Sequence, residues 1–185
     1  MSLKDYINEK PELQTARLLL RTLCVEDVPA LREWMTDPSI YLYWGSNAGK
    51  NDKNPELLFA KKQKPTKSFH WGIILRESGK AIGELWVDLI ENDRMAKVAY
   101  RLAPKYHGNG YATEALASAV TFCFQNTELQ RLWTAVDVRN GSSARVLEKC
   151  GFAREGLVRQ GKMGSSWCDH YLYGLLKEDW ADTNQ

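Results

Sequence analysis

Residues 106–116 read "YHGNGYATEAL", and they place Gly108 and Gly110 between a strand-like run and a helical pattern. The run "AKVAYRLA" before them is typical of a strand, and apolar residues after Gly110 recur at the spacing of one helix face. The positions on that face are Ala112, Ala115, Leu116, Ala119, Val120 and Cys123. The segment therefore predicts a strand that passes through a glycine turn into a helix.

The predicted turn has the chemistry of a phosphate-binding loop. The first N–H groups of a helix have no partner within the helix, and they lie at the positive end of its dipole. Glycines let a ligand approach these groups closely. We therefore interpret residues 107–113 as a cradle for a pyrophosphate, with the Thr113 hydroxyl as an additional donor. A tight turn that holds no ligand is the alternative.

Two common nucleotide-binding motifs do not fit this loop. A dinucleotide-binding fingerprint needs a third glycine or an alanine where this chain has Thr113, and an acidic residue about 20 positions further on. A Walker A loop needs Gly-Lys followed by Ser or Thr, and no such tripeptide follows. The loop therefore belongs to neither class.

Size and composition favour one soluble domain with a single core. The chain has 185 residues, 44% of them apolar, and a formal net charge of +2. This charge, without a basic arm, gives no indication of a nucleic-acid partner, and no apolar run approaches membrane-spanning length. The four cysteines are scattered, and His107 and His170 lack the spacing of zinc ligands. We therefore expect a reduced, cytoplasmic protein without a metal or a membrane partner.

The apolar pattern predicts the element order βα(α)βββαβαββ, a mixed sheet with helices packed on it, in the α/β (α+β) class. Two hairpin-like turns in succession, near residues 77–80 and 91–95, predict an antiparallel meander. Residues 47–67 contain six Lys and are expected to form a loop, with a short helix at "PELLFAKK" as an open alternative. A helix at "GSSARVLEKCGF" is expected to end at Gly151.

Three blocks of the sequence resemble one known family. "KYHGNGYATEAL" resembles the signature of the GNAT superfamily of acyl-CoA-dependent N-acetyltransferases, although Lys105 replaces the usual Arg or Gln. "VRNGSSARVLEKCGFAREG" and "TARLLLRTLCVEDVPAL" resemble blocks of the branch that contains the ribosomal-protein-alanine N-acetyltransferases. The blocks occur in the family's order between about residues 15 and 176, so the resemblance covers nearly the whole chain.

The resemblance implies a fold and a cofactor site. Residues 15–185 would form one GNAT domain after an N-terminal extension of residues 1–14, with a central sheet of about seven strands and helices on both faces. The sheet would splay between "AKVAYRLA" and "RLWTAVDV", and the pantetheine of coenzyme A would pair with the main chain of residues 100–102. The expected cofactor-binding residues are Tyr100, Arg101, Leu102, Lys105, His107, Gly108, Asn109, Gly110, Tyr111, Ala112, Thr113, Asn140 and Ser143.

Acyl transfer to an amine requires a stabilised thiolate leaving group, and Ser143 is the candidate for that role. Many enzymes of the family use a tyrosine at the position where this chain has Leu147. The resembled branch instead has a serine at the position of Ser143. The alternative is structural: Asn140 caps the short helix and Ser143 lies in its first turn.

The proton acceptor for the amine has three candidates. The resembled branch carries a glutamate where this chain has Lys162, so another group must act. Glu84 alternates with Ile82 and Trp86 along one strand face, and apolar neighbours would raise the pKa of its carboxyl group. Asp169 and an ordered water are the other candidates, and Glu84 as a solvated surface residue is the alternative.

The predicted function is transfer of an acetyl group from acetyl-CoA to a primary amine, by direct attack in a ternary complex. The acceptor is a protein N-terminus or a small amine, and a homodimer is left open. A non-catalytic acyl-CoA-binding module is the alternative. Cys168 and His170 share a strand face, but no third group orients them as a nucleophilic pair. The residues expected either to wall the acceptor pocket or to fill the core are Tyr41, Tyr43, Trp44, Trp71 and Trp86.

Overall fold

The computed structural model describes residues 2–6, 10–44, 54–56, 68–90 and 94–183. The Lys-rich segment at residues 47–67 and the short helix considered within it lie outside the described residues, apart from a turn at residues 54–56.

Eight strands and four α-helices make up the described part of the chain. The strands are β1 (Leu13–Gln14), β2 (Leu18–Arg21), β3 (Ser68–Leu75), β4 (Lys80–Ile90), β5 (Met95–Leu102), β6 (Arg131–Asp137), β7 (Ala153–Met163) and β8 (Ser166–Leu176). The helices are α1 (Val28–Met35), α2 (Tyr111–Asn126), α3 (Gly141–Lys149) and α4 (Lys177–Thr183). Short 3-10 helices occupy Leu3–Tyr6, Val25–Asp27, Pro38–Tyr41 and Pro104–Tyr106.

All strands belong to one open sheet in the order β1-β2-β3-β4-β5-β6-β8-β7. Every neighbouring pair is antiparallel except β5 and β6, which run parallel. Their pairing covers only residues 95–97 of β5 and 131–133 of β6. The predicted mixed, splayed sheet is therefore confirmed. Among the described residues the sheet has eight strands, and the one that the sequence pattern did not indicate is β1, which has only two residues.

Helices cover both faces of the sheet. Leu18, Leu20 and Trp71 are fully buried in a core that also holds the apolar stripe of α2. The opposite face carries a smaller cluster, in which Leu31 and Trp34 of α1 pack against neighbouring strands. This arrangement follows from the period of two along each strand, which sends successive side chains to opposite faces.

Both ends of the described chain pack onto this core. Leu3 is fully buried, and the Tyr6 ring lies 5.2 Å from the Phe122 ring in an edge-on contact. At the other end, α4 was not predicted from the sequence, and its Trp180 ring lies 5.7 Å from that of Phe124. Among the described residues, no helix is both long enough and apolar enough to cross a membrane.

Candidate active site

A cleft of about 610 Å³ opens where β5 and β6 separate. Beyond Lys97, β5 pairs only with β4, so its edge towards β6 faces the cleft. The described residues that line the cleft are Ser39, Ile40, Tyr43, Trp44, Ala99, Tyr100, Arg101, Leu102, Pro104, Tyr106, His107, Gly108, Gly110, Tyr111, Ala112, Thr113, Thr134, Ala135, Val136, Asp137, Asn140, Ser142, Ser143, Arg145, Val146 and Lys149. An open strand edge of this kind can accept an extended ligand as an added strand.

The glycine loop forms one end of the cleft. Gly108 and Gly110 both have a φ of +79°, in the left-handed region that favours glycine. A Cβ atom added at Gly108 would meet no other atom within 4 Å, so the space beside the loop is open. Helix α2 starts at Tyr111, and its first main-chain hydrogen bond runs from the Glu114 N–H to the Gly110 carbonyl. The N–H groups of residues 111–113 therefore have no acceptor within the helix.

Three polar side chains predicted to bind the cofactor make contacts within the protein. The Asn109 amide donates to the carbonyl oxygens of Tyr106 and His107, and a His107 ring nitrogen lies 3.0 Å from the Leu102 carbonyl oxygen. Lys105 Nζ lies 3.0 Å from the Glu33 carboxylate. Asn109 and Lys105 do not line the cleft, whereas the other eleven residues predicted for the cofactor do.

Two hydroxyl groups meet across the cleft. The Ser143 N–H donates to Asn140 Oδ1 at 3.1 Å, so Asn140 caps α3 as its position predicts. The Ser143 and Tyr100 hydroxyl oxygens lie 2.9 Å apart, and the Tyr100 hydroxyl also lies within donating distance of the Ser143 carbonyl. Burial raises the pKa of the Tyr100 phenol and so keeps it protonated. The arrangement provides a chain of two exchangeable protons between β5 and α3.

Glu84 lies in a buried ion-pair cluster and does not line the cleft. Arg101 Nε donates to Glu84 Oε2 at 2.7 Å, and His70 Nε2 lies 2.8 Å from Glu84 Oε1, in an alignment that makes no hydrogen bond. Burial alone would raise the pKa of the Glu84 carboxyl, but the contacts with His70 and Arg101 outweigh it and lower the pKa. The expected raised pKa is therefore wrong, because the strand pattern did not reveal these partners.

Four aromatic rings surround the Arg101 guanidinium. The rings of Trp34, Tyr41, Trp44 and Trp86 have centroids between 5.2 and 5.8 Å from its central carbon. Of the five aromatic residues singled out in the sequence, Tyr43 and Trp44 line the cleft. Trp71 is fully buried in the core, and the remaining two, Tyr41 and Trp86, pack around Arg101.

Asp137 is a site residue that sequence reasoning missed. Among the described residues it is the only carboxylate that lines the cleft, at the end of β6. Its two carboxylate oxygens accept hydrogen bonds from the Arg139 guanidinium, which lowers the pKa of the Asp137 carboxyl. One feature of the sequence could have indicated Asp137: it lies near the end of a predicted strand, three residues before Asn140.

Asp169, the alternative proton acceptor, has a structural partner. Its Oδ1 atom accepts a hydrogen bond of 2.8 Å from the Gln160 N–H, where the β7–β8 pairing is irregular. Across the described ranges, no three His, Cys, Asp or Glu side chains are grouped so that they could hold a metal ion.

Comparisons with known proteins agree with this fold and cleft. The profile of the acetyltransferase (GNAT) domain matches residues 17–153. The chain is 27% identical over 169 residues to YnaD, an uncharacterized N-acetyltransferase of Bacillus subtilis, a match that covers 91% of this chain and 98% of YnaD. It is 27% identical over 85 residues to the Escherichia coli [ribosomal protein uS5]-alanine N-acetyltransferase, covering 45% of this chain and 44% of that enzyme.

A solved structure extends the comparison to the fold. Spermidine N-acetyltransferase from Vibrio cholerae, in complex with CoA and spermine, superposes with a TM-score of 0.76 at 20% identity, over 90% of this chain and 99% of that one. The chain therefore belongs to the GNAT family of acetyltransferases, as its motifs predict. It is an N-acetyltransferase, and its relatives include an enzyme of the ribosomal-protein-alanine branch.

Proposed function

We propose that the protein transfers the acetyl group of acetyl-CoA to a primary amine, by direct attack within a ternary complex. The observation that carries this proposal is a cleft whose floor is an open strand edge and whose end is a helix N-terminus with free N–H groups. The spermidine N-acetyltransferase that shares the fold was solved with CoA bound, which supports the same cofactor here.

The cofactor would lie along the cleft in two parts. Its diphosphate would accept hydrogen bonds from the N–H groups of residues 108–113, helped by the dipole of α2. Its pantetheine would pair with the open edge of residues 100–102. The thioester would then lie beside Ser143, at the deep end of the cleft. Holding both reactants in place supplies much of the acceleration, about 7–11 kcal/mol in the best intramolecular systems.

Three different chemical groups are proposed to assist the three steps of the reaction. Because Glu84 is sealed in its ion-pair cluster, we propose that water takes the proton from the attacking amine. The nitrogen forms a bond to the carbonyl carbon, and a main-chain N–H of the splayed β5 stabilises the charge on the oxygen. The carbon–sulfur bond then breaks as the Ser143 hydroxyl gives its proton to the thiolate. The Tyr100 hydroxyl passes its proton to Ser143 and regains one from the water that accepted the amine proton.

The acceptor is proposed as a primary amine, either at a protein N-terminus or on a small molecule. The curated relative that acts on ribosomal protein uS5 supports the first class, and the spermidine enzyme of the same fold supports the second. The test measures free thiol released from acetyl-CoA with spermidine, with a peptide that begins with alanine, and with no amine. Thiol release that depends on either amine supports the proposal. Binding of acetyl-CoA with no turnover on a broad panel of amines would instead indicate a non-catalytic module.

Ser143→Ala is expected to lower kcat by roughly 10- to 100-fold, the equivalent of one hydrogen bond to a charged group. Its effect on CoA affinity is expected to be smaller, because the hydroxyl acts on the sulfur only as the thiolate forms. Steady-state kinetics and calorimetry measure the two effects. Ser118→Ala, on α2 and away from the cleft lining, is the control. If turnover by Ser143→Ala equals that of the control, Ser143 serves only as part of a helix turn.

A further inference from the structure

The glycine loop is fastened to the N-terminal part of the chain through one arginine and one glutamate. Arg17 Nε donates to Glu114 Oε2 at 2.7 Å, and Arg17 Nη2 lies 2.6 Å from the same oxygen. The other carboxylate oxygen accepts from the Arg17 main-chain N–H at 2.9 Å and from the Thr15 hydroxyl at 2.6 Å. Both oxygens of Glu114 are therefore held by residues that lie 97 or more positions earlier in the sequence.

Arg17 also contacts Asn109 of the loop and Tyr111, the first residue of α2. Its Nη1 atom donates to the Asn109 carbonyl oxygen at 3.0 Å, and its guanidinium carbon lies 4.6 Å from the Tyr111 ring centroid. Its Nη2 atom lies 3.5 Å from where a Cβ atom on Gly110 would be. The planar guanidinium can make these contacts together because its five N–H groups have a fixed geometry.

Neither Arg17 nor Glu114 lines the cleft, so neither is placed to touch the cofactor. Glu114 lies in the first turn of α2, where the helix dipole favours a negative charge. Burial alone would raise the pKa of the Glu114 carboxyl. The contacts with Thr15 and Arg17 have the larger combined effect and lower that pKa. The carboxylate therefore remains charged at neutral pH, and the ion pair persists beside the loop.

We propose that Arg17 and Glu114 are positioning residues that hold the glycine loop in the conformation that binds acetyl-CoA. A loop with two left-handed glycines has many alternative conformations, and ordering it on binding costs affinity. Contacts that order the loop beforehand remove this cost. This inference rests on the proposed function, because it takes the diphosphate of CoA as the ligand of the loop.

Arg17→Met is expected to weaken CoA binding by about 10-fold, the effect of losing one charge-assisted contact. The KM for acetyl-CoA should rise by the same factor, while kcat and the acceptor KM stay within twofold, because Arg17 does not act on the reacting atoms. Arg17→Lys keeps a positive charge beside Glu114 but loses the contacts that the planar guanidinium makes with the loop. Its CoA affinity should therefore lie between those of the wild type and Arg17→Met. Calorimetry with CoA and steady-state kinetics measure these effects.

Arg131→Met is the matched control, because Arg131 makes a two-pronged ion pair with Glu155 far from the loop. Arg17→Met and Arg131→Met should show a similar decrease in the free energy of unfolding, measured by urea denaturation. Only Arg17→Met should show weaker CoA binding. Equal CoA affinity in the two variants overturns the inference while leaving the proposed function intact. If Arg17→Met does not fold, Arg17→Lys decides, and wild-type affinity in that variant overturns the inference. A wild-type protein that binds no CoA overturns both proposals.

Discussion

Gly108→Asp is expected to abolish the binding of coenzyme A, raising the dissociation constant measured by calorimetry by roughly 100-fold or more. The new carboxylate would lie among the N–H groups proposed for the diphosphate, and two like charges about 4 Å apart near a protein surface repel by about 4 kcal/mol. The side chain itself fits, because a Cβ atom at Gly108 meets no other atom within 4 Å. The fold should therefore survive the substitution.

Two control variants separate charge from backbone strain. Gly108→Asn has nearly the same size and the same tolerance for a φ of +79° but no charge, so it should lose much less affinity. Gly79→Asp carries a similar strain at a φ of +68°, in the turn between β3 and β4, and should bind CoA as the wild type does. Unchanged affinity in Gly108→Asp would refute the phosphate cradle.

Glu84→Gln is expected to lower the free energy of unfolding by about 3–5 kcal/mol, measured by urea denaturation. The carboxylate is fully buried, and its replacement removes the negative charge that pairs with the Arg101 guanidinium inside the protein. Glu33→Gln is the control, because Glu33 is paired with Lys80 and Lys105 at the surface and should change stability little. Equal stability of the two variants would contradict a structural role for the buried pair.

The sign of the pH dependence follows from the lowered pKa of Glu84. The unfolded chain would bind a proton at Glu84 near the ordinary pKa of 4.5, whereas the folded protein binds it only at a lower pH. The stability contributed by the charge is thus fully present above pH 4.5 and is lost as the pH falls through the folded pKa. The difference between wild type and Glu84→Gln should therefore shrink as the pH falls below 4.5 and through the folded pKa of Glu84.

The sequence predicted the parts of the site that depend on local backbone chemistry. Gly108 and Gly110 do occupy left-handed conformations, and Asn140 does cap its helix. The apolar stripe of α2 is buried where its period indicated, from Ala115 to Cys123. These features arise within a few residues of one another, so the spacing of residue types is enough to predict them.

Contacts between residues far apart in the sequence could not be predicted from local spacing. Glu84 and Arg101 face each other directly across β4 and β5, but the apolar pattern did not define the register of these two strands. The contact between Arg17 and Glu114 joins residues 97 positions apart and leaves no local signal. The strand pattern thus left the burial of Glu84 open, and it did not reveal the partners that lower the pKa of its carboxyl.

The most direct test of the proposed cofactor site is a crystal structure of the protein grown with coenzyme A. We predict that the diphosphate oxygens accept hydrogen bonds from the main-chain N–H groups of residues 108–113, and that the pantetheine lies beside residues 100–102. A diphosphate bound elsewhere on the protein, or a cleft that stays empty at a concentration that saturates the calorimetric titration, would contradict the proposed site.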